Sequence, residues 1–162
     1  MNQPWQKESV DGERSAVKIT REFDFPRELV FTMLTDPKKA VKVWGPEGAE
    51  KLVFELDPRP GGAITIVDRW EGKTAKTSGT ITEFVVPELL AFRSSTIAPE
   101  GTAPWVALQT VTLEELSPRR TRVTISVKIL ETGSFPGGVE SLEEGFQGGW
   151  GQTLHMLQRE LR

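Results

Sequence analysis

Few side chains in this chain of 162 residues could carry covalent chemistry. It has one histidine and no cysteine, which excludes thiolate nucleophiles, thiolate metal sites and a disulfide framework. A Ser-His-Asp triad could use only His155, and a His-rich metal site cannot be built. His155 lies about 100° around a helical stretch from Leu154. It is therefore off the apolar face and reads as a solvated residue. Glu143 and Glu144 form a carboxylate pair that could divide acid and base roles. Near the start of a helix, such a pair more often complements the helix dipole. Arg59-Pro60-Gly61-Gly62 has the composition of a phosphate-cradling loop. Such a loop needs a helix behind it to offer N-terminal amides. The β-rich run Ala63-Ile64-Thr65-Ile66-Val67 follows instead, so the stretch reads as a turn between strands. The expectation is a site without metal or cofactor, and a protein that does not act as an enzyme.

Composition narrows the partners. Charged residues make up 27%, hydrophobic residues 37%, and the net charge is −3. A nucleic-acid binder normally shows a basic stripe, so none is expected. No apolar run approaches the roughly 20 residues of a membrane span, and cytoplasm is the default location. Met1 to Glu13 is polar, lacks periodicity and reads as a loose tail carrying a lone Trp5. The remainder, 14–162, reads as a single domain.

The elements follow from hydrophobic period. Ser15 to Phe25 alternates as a strand, with Val17, Ile19, Arg21 and Phe23 on one face. Pro26 opens a helix, a favoured first position, whose apolar stripe is Leu29, Val30, Met33 and Leu34. Asp36-Pro37 breaks it and starts a second short helix through Val43-Trp44. From there the period is two. Val53–Leu56, Ala63–Trp70, Ser78–Val86, Leu89–Thr96, Val106–Leu116 and Thr121–Ile129 read as strands. Short turn signals between them predict an antiparallel meander, with one longer loop at Ala98–Pro104. From Leu142, the spacing of Phe146, Trp150, Leu154, Leu157 and Leu161 predicts a long helix. One helix can cover one face of a sheet, and a strongly twisted sheet can curl around it. The fold class is thus α+β: a curved antiparallel sheet of six or seven strands wrapped around a long C-terminal helix. Two short helices follow the first strand.

Five stretches, "REFDFPRELVFTMLTDP" (21–37), "WGPEG" (44–48), "LDPRPGGAI" (56–64), "GTITEFVVPELLAF" (79–92) and "EEGFQGGWGQTL" (143–154), occur in that order. Together they resemble the activator of heat-shock protein 90 ATPase homologue family. That family belongs to the START-like (SRPBCC) superfamily with the helix-grip fold. The resemblance covers residues 16 to 161 and implies the same cup and helix. It also implies a cavity, since superfamily members bind lipids, sterols, polyketides or aromatic compounds there, and some catalyse reactions on them. The eukaryotic co-chaperones of the family use an additional N-terminal domain, and Met1 to Glu13 carries no motif of it.

Strand parity supplies the lining. Ile64, Ile66, Asp68 and Trp70 form the bulkier phase of their strand and should face inward. Leu90, Phe92 and Ser94 do the same on theirs, as do Trp105, Ala107, Gln109, Val111 and Leu113. Val123, Ile125, Val127 and Ile129 complete the face, and the helix adds Phe146 and Trp150. Trp44 is either a pocket wall or an ordinary half-buried aromatic, and so is Trp70. The candidate ligand-binding set is therefore Trp44, Ile64, Ile66, Asp68, Trp70, Phe92, Ser94, Trp105, Gln109, Phe146 and Trp150. An apolar surface with a few polar groups suits a small-molecule pocket, although a filled core would show the same residues. Asp68 would lie inside the cup with Gln109 and Ser94 as its nearest polar neighbours, or past the rim in solvent. Arg69 and Arg93 fall on the outward phases. Gly148-Gly149 costs helix stability, roughly 1 kcal/mol per glycine against alanine. Close packing of helix on sheet explains that best, with a ligand passing over the turn as the alternative.

The leading expectation is binding of a small hydrophobic or aromatic molecule without catalysis. The alternatives are a protein-interaction module, such as a chaperone partner or stimulator of the heat-shock protein 90 ATPase, and a cavity enzyme acting on an aromatic or polyketide-like substrate. A monomer or homodimer is expected.

Overall fold

The computed structural model describes residues 16–97 and 103–162. The tail Met1–Glu13 with Trp5, and most of the loop expected at Ala98–Pro104, lie outside the described residues. The strands are β1 (Ala16–Phe23), β2 (Glu50–Leu56), β3 (Ala63–Trp70), β4 (Lys73–Val85), β5 (Leu89–Ile97), β6 (Trp105–Ser117) and β7 (Arg120–Glu131). Helices α1 (Arg27–Thr35) and α2 (Pro37–Ala40) follow β1, and α3 (Gly138–Leu161) closes the chain. The strands form one sheet in the order β1-β7-β6-β5-β4-β3-β2. Every neighbouring pair is antiparallel. Among the described residues no helix is long and apolar enough to cross a membrane.

The inward phase expected from parity is the buried one. Ile64, Leu90, Phe92, Ala107, Val111, Leu113, Val123, Ile125, Val127 and Ile129 are all buried. They meet Leu142, Trp150, Leu154 and Leu157 of α3 in a single cluster. Helix α3 packs chiefly against β1 and β7, and against α1. His155 points to solvent, while Arg69 and Arg93 are exposed.

Several boundaries differ from the expectation. Helix α3 starts at Gly138, so Glu140 occupies its first turn. Glu143 and Glu144 lie further in, away from the free amides that a dipole contact requires. Leu29 belongs to the exposed side of α1 at 39% accessibility, and Phe31 takes the buried side with Val30, Met33 and Leu34. Helix α2 is only one turn, capped by the Asp36 carboxylate accepting from the Lys38 amide at 3.0 Å, and turns carry the chain on to Trp44. Strand β4 begins at Lys73, immediately after the Glu71-Gly72 turn. Strand β2 begins at Glu50 rather than Val53.

The Pro58–Gly62 stretch is a turn whose amides are engaged. Gly61 N–H donates to Ile81 O at 2.8 Å, and Gly62 N–H donates to Arg59 O at 2.9 Å. Arg59 N–H donates to Asp57 O at 2.8 Å, and Ile81 N–H donates back to Gly62 O at 2.8 Å. These bonds dock the turn on β4 and leave those donors no anion to bind. Gly62 is required by crowding, because a Cβ there would stand 1.9 Å from Asp57 O. Gly62→Ala should therefore destabilise the fold by about 1–3 kcal/mol, the usual cost of overpacking. Urea denaturation checks this, and an unchanged midpoint would show that the turn relaxes freely.

Candidate functional site

The open part of the cup lies between the first half of α3 and the inner faces of β3 to β6. It consists of two adjoining chambers. The inner one has a volume of about 170 Å³ and is walled by Trp44, Ile64, Ile66, Phe92 and Trp150, with Gln109 and Thr153 on its sides. The outer one, about 410 Å³, is walled by Trp70, Ala75, Trp105, Phe135 and Leu142. Asp68, Thr77, Thr96 and Phe146 line both. So do Gly45 and Pro46 from the strap after α2, and Gly145 and Gly149 from α3.

All residues of the expected set except Ser94 line one chamber or the other. Ser94 is buried behind Gln109 and accepts from Gln109 Nε2 at 2.8 Å. Gln109 Oε1 in turn accepts from the Trp150 indole N–H at 2.7 Å. This chain fixes the amide orientation and pins α3 across the middle of the sheet. Trp44 is held equally firmly, since its indole N–H donates to Leu34 O at 3.1 Å. Its ring stacks on Phe92 with centroids 5.7 Å apart and tilts against Trp150 at 5.9 Å. Phe54 meets Trp44 edge-on at 5.8 Å. In the outer chamber Trp105 and Phe135 meet edge-to-face at 5.0 Å. Aromatic pairs at these separations are each worth about 0.5–1.5 kcal/mol beyond their buried area, so the inner wall is rigid before anything binds.

Asp68 is 8% exposed and faces inward. Its partner is not Gln109 or Ser94 but Lys51, directly across the ladder on β2. Lys51 Nζ stands 3.1 Å from Asp68 Oδ1, and this ion pair is the contact that meets the oxygen, which is itself sealed from solvent. A β-bulge between Lys51 and Val53 creates the arrangement. Without it Leu52 would share the inward phase of Phe54 and Leu56. With it Leu52 turns outward, at 41% accessibility, and Lys51 turns in. Burial pushes the Asp68 carboxyl above its ordinary range, and the Lys51 ammonium opposes the shift. Among the described residues no group of three His, Asp or Glu side chains could hold a metal ion.

The glycines of α3 correct a sequence expectation. Close packing does not explain Gly148 and Gly149, because nothing lies within 4 Å of where either Cβ would stand. Both line the groove. The strap above them is tied to the same helix. Gly45 N–H donates to Thr153 Oγ1 at 2.9 Å, Glu47 N–H donates to Gln152 Oε1 at 2.7 Å, and Arg159 pairs with Glu47 at 2.9 Å.

The raised Asp68 carboxyl has a definite consequence for stability. Folded protein keeps this proton at a pH where unfolded chain, with an ordinary value of about 3.9, has released it. The contribution to stability is therefore complete below that value and is lost as pH rises through the higher folded value. Compared with Asp68→Asn, the wild type should lose unfolding free energy as pH rises from about 3.5 toward neutrality. Parallel pH-dependent curves for the two proteins would contradict this.

The profile described as "Activator of Hsp90 ATPase homolog 1-like protein" matches residues 24–162. No curated protein matches the sequence. Among solved structures, a Chromobacterium violaceum protein is 25% identical with a TM-score of 0.72, over 89% of this chain and 94% of that one. A Rhizobium loti protein is 26% identical with a TM-score of 0.70, over 90% and 96%. The Silicibacter pomeroyi AHSA1 protein, 22% identical, shares the fold with a TM-score of 0.75 over 91% and 97%. With a profile match that runs from just after β1 through α3, this chain belongs to the activator of Hsp90 ATPase homologue 1-like family.

Proposed function

We propose that this protein binds a small, mainly apolar molecule in the groove between α3 and the sheet, and does so without chemical conversion. One observation carries the reading: Gly148 and Gly149 sit mid-helix beside the groove with empty space where their side chains would be. Each costs the helix about 1 kcal/mol relative to alanine, and no neighbouring atom demands the sacrifice. Keeping the groove open is the physical gain that offsets it. The rigid aromatic walls and the few charged groups, the Asp68–Lys51 pair and Glu144 on the outer chamber, support the same reading, being the usual mix of a ligand pocket.

A protein partner is the second reading, favoured by the family description alone. The outer face of the sheet offers threonines and mutually compensated ions, such as Glu22 with Arg120 and Arg122. That surface suits solvent better than a large apolar contact. Stimulation of a purified heat-shock protein 90 ATPase by this chain would favour the second reading.

Two measurements test the first. Thermal shift with a panel of alkylbenzenes and fatty alcohols should raise the melting temperature. A compound present at 100 times its dissociation constant adds about 2.7 kcal/mol. No shift with any of them sinks the reading. Separately, Gly149→Ala should stabilise the free protein by about 0.5–1 kcal/mol while weakening every apolar ligand. Stabilisation without any loss of binding would show that the glycine serves something else.

A further inference from the structure

We infer that the ligand has two apolar ends with a neutral hydrogen-bond donor between them. This rests on the groove being a ligand site, and it adds where on the ligand the polar group must lie. The inner chamber, about 170 Å³ and boxed by Trp44, Phe92 and Trp150, is comparable to an engineered apolar cavity of about 150 Å³ that takes a benzene ring. The outer chamber has room for a longer apolar segment beside Trp70 and Trp105. Toward the ends, Gln109, Thr153 and Gln152 are already engaged in hydrogen bonds within the protein, and Glu144 is exposed. Asp68, Thr77 and Thr96 line both chambers, and so form a waist where the two meet.

The charge at the waist selects the donor. Thr77 and Thr96 hydroxyls already bond one another at 2.9 Å. The Asp68 carboxylate is the acceptor left over: Oδ1 is sealed from solvent against Lys51, and the accessible part of the side chain lies on the lining of both chambers. Lys51 at 3.1 Å balances its charge from the neighbouring strand. A ligand ammonium would face that lysine, and a ligand carboxylate would face Asp68. A hydroxyl meets the acceptor without adding a net charge to the buried pair. Binding a pure hydrocarbon dehydrates the accessible part of the carboxylate and offers it no donor, which is the larger loss.

The test uses four probes of one skeleton: pentylbenzene, its benzylic alcohol, its terminal alcohol and its benzylic amine. Affinities are read from quenching of tryptophan fluorescence. The benzylic alcohol should bind about tenfold more tightly than the hydrocarbon or the terminal alcohol. The double variant Lys51→Met/Asp68→Leu removes both charges together, so neither is left buried alone. It should still bind pentylbenzene and lose the preference for the benzylic alcohol. If that variant fails to fold, Asp68→Asn is measured instead. It keeps the shape and a weaker acceptor, and the preference should fall to about threefold. Equal affinity for the three neutral probes overturns the waist while leaving the groove intact as a site. Tightest binding of the amine overturns the neutral donor in favour of a cation. An undiminished preference in whichever variant is measured overturns the role of Asp68. If none of the probes binds, the groove itself is not a site for such molecules and both readings fall together.

Discussion

One helix cannot cover the inner face of a sheet of seven strands. Everything notable about this molecule follows from how that shortfall is handled. Helix α3 leans on β1, β7 and α1, where Leu154 and Leu157 are completely buried. Core packing is dense on that side because each lost contact between apolar groups is a direct loss of stability. On the other side, over β3 to β6, the helix presents Phe146 and Trp150 with glycines between them, and the gap beside the glycines is left standing. The same helix therefore does two opposite jobs along its length, with Trp150 at the transition.

Polar groups set the limits of the gap. The Trp150–Gln109–Ser94 chain satisfies three buried groups at once. It holds the helix at a fixed height above the sheet, so the walls cannot collapse inward without breaking buried hydrogen bonds. Trp44, tied to the backbone of α1, closes the deep end. Satisfied networks of this sort rigidify a core and specify one arrangement. Asp68 stands apart because its compensation is electrostatic and comes from one direction only. Among the described residues, the other buried polar side chains, Thr35, Ser94, Gln109, Thr121 and Thr153, each make a hydrogen bond, whereas Asp68 meets only the Lys51 ammonium.

The sheet, the long helix and the inward faces were legible in the sequence because alternation of period two is strong wherever one face is buried. Trp70, Trp105 and Gln109 were placed correctly on that basis alone. Lys51 was not, since parity counted back from Phe54 and Leu56 puts Leu52 inside. A bulge inserts one residue and inverts the pattern, and nothing in Glu50-Lys51-Leu52-Val53 announces it. Thr77 was missed for a plainer reason: a polar run, Lys73 to Thr77, carries no hydrophobic period, and its pairing with β3 is imposed by the neighbouring strand. Thr96 lay on an expected strand but has no charge or bulk to single it out. The glycines were noticed but assigned to close packing, because a sequence shows that a side chain is missing and not whether the vacated space is filled.

The strap from Gly45 to Glu47 divides the groove from solvent, and its fastenings have a character of their own. Two are single hydrogen bonds from its amides to side chains of α3, and the third is an ion pair between half-exposed groups. Exposed ion pairs are worth about 0–1 kcal/mol and weaken with salt. Each strand of the sheet, by contrast, is held by a ladder of many backbone pairings. The wall is thus built from parts of very unequal local stability, and thermal fluctuation acts first on the weakest. Opening the strap needs one part-buried hydrogen bond and two exposed contacts to part while the sheet and α3 stay folded. Exchange between the groove and bulk water then becomes a matter of local breathing of the strap rather than of opening the core.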